Sequence, residues 1–132
     1  RKNMIRKIKR GEIYLVNISS SLGSVQNGVR PVLVIQNNKG NKYSPTVIVA
    51  CLSSQIDHKA HLPTHYILPE GLGLKFRTMV LCEQIRSVDK QCFIKYIGKV
   101  PKRWMTIIDK KVMISLGIEK KVLNNASRSN IV

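Results

Sequence analysis

The sequence predicts a small, mainly antiparallel β-barrel finished by one C-terminal helix. Short apolar runs rich in β-branched residues recur along the chain, with no helix-sized segment between them. Glycine, proline and asparagine punctuate those runs as turns do. The hydrophobic period then changes once, near Pro101, from that of strands to that of a helix.

Glu12 to Ile18 (EIYLVNI) reads as the first strand, and Ser19 to Arg30 as a long polar loop. Pro31 to Asn37 reads as the second strand, because a residue before proline is pushed into extended geometry and Val32-Leu33-Val34-Ile35 follows. Asn38 to Lys42 is expected to turn, with Gly40 free to take positive φ. Thr46 to Leu52 is a third, nearly all-apolar strand, and Ser53 to Leu62 a polar connection. Thr64 to Leu68 is a short strand, Pro69 to Gly73 a turn, and Thr78 to Cys82 opens another strand that Glu83 to Arg86 can continue. Phe93 to Val100 alternates weakly and suits an edge, with Lys95 and Lys99 as blunting charges. From Pro101 to Leu116, Trp104, Ile107, Ile108, Val112 and Leu116 fall on one helical stripe; Pro101 suits the first turn and Gly117 the stop. Trp104 is expected in the core. The organisation is a basic extension (1–9), one barrel domain (10–118) and a polar, frayed tail (119–132).

At 132 residues the chain builds one core and not two. Lys and Arg total 23 against 7 Asp and Glu, a net charge of +16, which points to a polyanion such as RNA or DNA. The charge is uneven: six basic residues lie in 1–10 and seven in 99–121, so part of it solvates a tail and a helix. No apolar stretch approaches the ~18 residues of a membrane-spanning helix. The basic start leads into no apolar signal region, so the expected compartment is the cytoplasm. The three cysteines show no CxxC spacing; Cys51 and Cys82 lie in apolar runs, as buried thiols of a reduced protein would. The clustered His58, His61 and His65 lack a metal-like pattern, and no metal or other cofactor is expected.

Three stretches set reactive polar groups at the ends of apolar strands: Arg30 before Pro31, Ser53-Ser54-Gln55 after TVIVACL, and Glu83-Gln84-Ile85-Arg86 after TMVLC. In a small antiparallel barrel Arg30 and Ser53 can share one rim. A guanidinium beside a hydroxyl suits a phosphodiester. RNA carries its own nucleophile, the 2′-hydroxyl, so the protein has only to stabilise the phosphorane and assist two proton transfers. Arginine is too basic to accept a proton; His65 or Glu83 can, and the sequence selects neither. Taken singly, each residue also has an ordinary reading: Arg30 and His65 as surface groups, Ser53 as a turn cap, Glu83 and Arg86 as an ion pair.

Arg10-Gly11-Glu12-Ile13-Tyr14, the block GSVQNGVRPVLVIQN (23–37), Ser44 to Ala50, and Glu83 to Lys90 together resemble the MazF/PemK family of toxins from bacterial toxin–antitoxin pairs. The order and spacing match from about Lys9 to Ile118, and the helix end Ile114-Ser115-Leu116-Gly117 is similar as well. The resemblance implies an SH3-like barrel that dimerises. It implies a sequence-specific, metal-independent endoribonuclease that cuts single-stranded RNA or mRNA, leaving 2′,3′-cyclic phosphate and 5′-hydroxyl ends. It also implies neutralisation by an acidic antitoxin. Arg30 matches the family's catalytic arginine. Ser53 stands where a catalytic threonine is common, and Val25 where an acidic residue is common. Ser24, Gln26, Pro63, Thr64, His65, Glu83, Gln84 and Arg86 fall in stretches that line the RNA groove of similar proteins. Two other readings belong to the same barrel class: a CcdB-like gyrase poison acting through Ile114 to Ile118, and an RNA-binding barrel without catalysis.

Overall fold

The computed structural model describes residues 7–18, 28–56 and 62–118. The elements run β1 (Glu12–Ile18), β2 (Gly28–Val34), α1 (Asn38–Tyr43), β3 (Thr46–Ser53), β4 (His65–Ile67), β5 (Met79–Asp89), β6 (Phe93–Lys99) and α2 (Lys102–Leu116), with a 3-10 turn at Lys90–Cys92. The strands form one antiparallel sheet in the order β4-β5-β3-β2-β1-β6. The expected mainly β architecture with a C-terminal helix is thus present. The hydrogen-bonded ladder is open between β4 and β6, and β6 occupies the edge that its lysines suggested.

The central strands are buried on both faces, which is why they read as continuous apolar runs. On one face Tyr14, Val16, Val32, Val34, Val47, Val49 and Phe93 pack together, with the Tyr14 and Phe93 rings edge to face at 5.2 Å. On the other, Ile13, Leu33, Ala50, Leu52, Val80 and Val100 meet Met105 and Ile108 of α2. Trp104 and Val112 pack against that second core from its margin, so Trp104 is half-buried beside Tyr66. Helix α2 ends at Gly117, whose φ of 72° lets its N–H reach the Ile114 carbonyl. At its other side Arg10 clamps the helix with paired bonds to Asp109 (2.5 and 3.2 Å) and a bond to the Ile35 carbonyl (3.0 Å). Arg10, counted in sequence among the basic residues of the chain start, is therefore a structural arginine. The one buried carboxylate of β1, Glu12, accepts from the Lys9 N–H (2.7 Å) and the Tyr14 hydroxyl (3.0 Å).

Three local expectations change. Asn38 to Lys42 is not a turn but the body of α1. The Asn37 side chain caps it by accepting from Gly40 N–H at 2.8 Å, and buried Asn41 donates to the Gln36 carbonyl. Gly40 is helical instead of left-handed, and a Cβ there would meet the Gln36 side chain at 3.1 Å. β5 runs on to Asp89, well past Arg86. And β2 begins at Gly28, placing Arg30 and Pro31 inside the strand. Proline is accommodated because β2 at Pro31 pairs with β1 alone; the β2–β3 rungs start at Val32. Residues 1–6 of the expected extension (1–9), the tail 119–132, and the loop residues Ser24 and Gln26 lie outside the described residues.

Candidate functional site

Strand register relates the described candidate residues to one another. The rungs between β2 and β3 run Val34↔Val49, Leu33↔Ala50, Val32↔Cys51 and stop. The same register carried further sets Pro31 opposite Leu52 and Arg30 opposite Ser53. The strands therefore fork where the expected guanidinium and hydroxyl stand. Because side chains alternate along a strand, Arg30 and Ser53 share the face of Val32 and Cys51.

The same row continues across the sheet. Cys51 pairs with Leu81 of β5, and Leu81 with His65 of β4, while Val49 pairs with Arg86. Between those rungs β5 is irregular: Ala50 pairs with Ile85 but Cys51 with Leu81, so Cys82, Glu83 and Gln84 bulge from the ladder. Such a bulge re-aims side chains. Here it turns the Glu83 carboxylate onto β4 and the segment before it. Oε1 accepts from the Thr64 hydroxyl at 2.8 Å, and Oε2 lies 3.0 Å from His65 Nε2. The Leu62 N–H lies 3.4 Å from His65 Nδ1, on the side of the ring away from Glu83. From α2, Ser115 Oγ donates to the Cys82 carbonyl (2.9 Å) and Lys111 Nζ to the Pro63 carbonyl (2.9 Å), fixing both sides of the bulge.

Electrostatics tie the two halves of the site into one. Burial pushes the Cys51 thiol above its ordinary pKa, Arg86 and then Arg30 pull it back, and Glu83 adds to the rise. One buried sulfur thus feels both guanidiniums and the carboxylate. Burial drives the Cys82 thiol to about 11, so neither cysteine is a thiolate near neutrality. Burial alone would raise Glu83, but the hydrogen bonds from His65 and Thr64 outweigh it and hold the carboxyl below its ordinary 4.5. The stability those bonds give is full above pH 4.5 and is lost as pH falls through the lower folded value. We expect Glu83→Gln to flatten the fall in urea midpoint between neutral pH and about pH 3.5 relative to the parent, since only an ionisable group supplies that slope.

Arg30 and Ser53 each lie two residues beyond the last β2–β3 rung, Val32↔Cys51, and Thr64, His65 and Glu83 form one bonded unit. Glu83 takes His65 and Thr64, not Arg86, as its partners. The Arg86 Nε is buried without a hydrogen-bond partner among the described residues. Pro63 is exposed and contributes its carbonyl to Lys111, and Gln84 is exposed on the bulge. Ser53 Oγ accepts from the Gln55 N–H at 3.1 Å, so the turn-cap reading is also met, and its own proton is left to donate elsewhere. What sequence reasoning missed is Cys51 as the hub of the charged groups and the bulge that joins Glu83 to His65. The run TMVLCEQIR holds the residues of that bulge, but nothing in it marks where the register slips. No group of three or more His, Cys, Asp or Glu suited to a metal ion occurs among the described residues.

The comparisons with known proteins converge. The profile of PemK-like, MazF-like toxins of type II toxin–antitoxin systems matches residues 9–116. The chain is 45% identical over 112 residues to "Endoribonuclease EndoA" of Bacillus subtilis (strain 168), covering 84% of this chain and 96% of that one. Among solved structures, MazF from Deinococcus radiodurans superposes with a TM-score of 0.73 at 22% identity, over 86% of this chain and 100% of that one. A mycobacterial endoribonuclease in complex with its cognate antitoxin superposes with a TM-score of 0.69 at 23% identity, over 85% and 97% of the two chains. The profile match over residues 9–116, and the B. subtilis relative matched over 84% of this chain, show that this chain belongs to the PemK-like, MazF-like family of type II toxin–antitoxin toxins.

Proposed function

We propose that the fork between β2 and β3 is the catalytic centre of this endoribonuclease toxin, and that it cuts single-stranded RNA without a metal ion. The observation that supports the reading is the β2–β3 register, whose last rung, Val32↔Cys51, lies two residues from Arg30 on one strand and from Ser53 on the other. The scissile phosphate sits between them. The 2′-oxygen attacks phosphorus while the bond to the 5′-oxygen breaks, giving a 2′,3′-cyclic phosphate and a 5′-hydroxyl. Arg30 offers paired N–H donors and a fixed positive charge to the phosphorane. Ser53 donates its free proton to a non-bridging oxygen. The attack releases a proton from the 2′-oxygen and needs one at the 5′-oxygen. The Glu83–His65 pair on the same face is the unit that handles them. The orphaned Arg86 Nε is a donor that a phosphate or base carbonyl of bound RNA satisfies. Thr64, His65, Glu83 and Gln84 present hydrogen-bonding edges to splayed bases, as single-stranded recognition requires; Ser24, Gln26 and Pro63 complete the groove.

The partners follow from charge and surface. A net charge of +16 suits RNA and an acidic antitoxin alike. A shallow apolar depression lined by Ile35, Ile48, Ile85, Val112 and Leu116, with Ile114 exposed nearby in sequence, suits a second copy in a homodimer. No helix among the described residues is long and apolar enough to cross a membrane. We place the toxin in the cytoplasm, where mRNA is its substrate.

The test is incubation of long RNAs with the purified protein in EDTA, followed by sequencing of 5′-hydroxyl ends. Cutting at one short recurring sequence is expected. Cutting that EDTA abolishes contradicts the metal-free chemistry. An intact RNA beside arrested growth that survives Arg30→Ala favours a gyrase-type poison, and salt-sensitive binding without products favours a non-catalytic barrel.

A further inference from the structure

A cavity of about 570 Å³ opens at the mouth of the barrel, on the far side of the lip from Cys51. Its floor is apolar: Leu15, Pro31 and Leu52 from the sheet and Ile97 from β6. Arg30 and Ser54 line its near rim, and the segment from Gly73 to Thr78 makes its outer wall. That wall is docked, not draped. Gly73 and Gly98 let the backbones of 72–73 and 97–98 touch: a Cβ on Gly73 would lie 2.3 Å from the Ile97 carbonyl oxygen, and one on Gly98 2.0 Å from that of Leu72. Thr78, itself buried, donates to the Phe76 carbonyl at 2.8 Å and fixes the far end of the wall. Phe76 stands 71% exposed on this fixed wall, next to exposed Lys75 and across from exposed Lys95.

An exposed aromatic ring on an anchored segment at the edge of a cavity presents a face on which a flat ligand can stack. Its surroundings define the partner. The volume is in the range of small-molecule pockets, roughly 300–1,000 Å³. The floor is apolar, the rim cationic, and Arg30 belongs both to the rim and to the cluster felt by Cys51. An RNA strand whose phosphate rests on Arg30 crosses the lip between Arg30 and Ser54 and arrives in this cavity. We propose that the cavity is a nucleobase subsite for a nucleotide flanking the scissile phosphate, with Phe76 as its stacking platform and Lys75 and Lys95 as contacts to the adjoining phosphates. The proposal rests on the ribonuclease reading and adds to it a specificity residue outside the strand-end stretches. Stacking accepts any base but holds purines best, so a purine is favoured at this position.

The experiment uses the full chain and two substrates: an RNA carrying the mapped cut sequence, and its uncleavable 2′-O-methyl counterpart with 2-aminopurine placed in turn on each side of the cut. Phe76→Ala is expected to raise KM about tenfold with kcat within about twofold. It is also expected to abolish the fluorescence quenching that the parent shows at one of the two positions; Phe76→Tyr restores both. Gly73→Ala, which must displace the wall, is expected to behave like Phe76→Ala. Unchanged KM and quenching in Phe76→Ala, in a protein that still cuts, overturns the subsite and leaves the ribonuclease reading intact. A protein that cuts no RNA overturns the ribonuclease reading and, with it, the scissile phosphate that this subsite flanks.

Discussion

Arg30→Ala is expected to lower kcat/KM for RNA cutting by about a thousandfold, a loss typical of removing a donor aimed at charge that develops in the transition state. The loss falls on kcat. Affinity for the uncleavable strand changes little, because the remaining basic residues still hold the backbone. Arg30→Lys keeps the charge but not the planar fork, and is expected to recover only a small part of the rate. The residue sits in a strand held by β1 through the rungs Val16↔Arg30 and Leu15↔Pro31, so the substitution leaves the fold in place. Single-turnover cleavage measured beside filter binding separates the two effects. Loss of binding in step with loss of cutting would make Arg30 a general phosphate contact and not the stabiliser of the reaction.

Ser53→Ala is expected to cost about a hundredfold in kcat, and Ser53→Thr to match or exceed the parent. A threonine keeps the hydroxyl and stiffens its rotamer, so a group that must be aimed gains from the methyl. A serine that merely caps its turn predicts otherwise. Its bond to the Gln55 N–H is one exposed hydrogen bond worth about 1 kcal/mol at most, and losing it would show in the thermal midpoint and not in kcat. Paired rate and melting measurements on the two variants therefore separate an aimed hydroxyl from a cap.

Much of the fold was legible because the central strands are buried on both faces. Val32 to Val34 and Val47 to Leu52 serve two cores at once, and the resulting runs cannot be mistaken for solvent-facing loops. Helix α2 was legible from its period and its glycine stop, though of the expected stripe Ile107 and Leu116 are exposed and Met105 is buried in their place. Helix α1 was not, because a six-residue helix holding Gly40 has no stripe; it stands on the Asn37 cap and on buried Asn41, which composition reads as a turn. The site divides the same way. Arg30 and Ser53 flank recognisable apolar runs, so their places just beyond the last β2–β3 rung follow from antiparallel order. The Glu83–His65 bond depends on a register slip at Cys82 to Gln84, and the exposed Phe76 on two close backbone approaches, at Gly73 and Gly98. Both arise from how distant segments pack and leave no local pattern.

In the proposed mechanism the RNA supplies the nucleophile and the β2–β3 fork supplies the charge. The direct measurement replaces the 2′-hydroxyl of the nucleotide 5′ to the cut by hydrogen and follows binding and cleavage of that one oligonucleotide. Binding within a few-fold of the all-ribose strand with no cleavage is the predicted result. Cleavage of the 2′-deoxy strand at the same bond would show that another group attacks phosphorus, and would contradict the account.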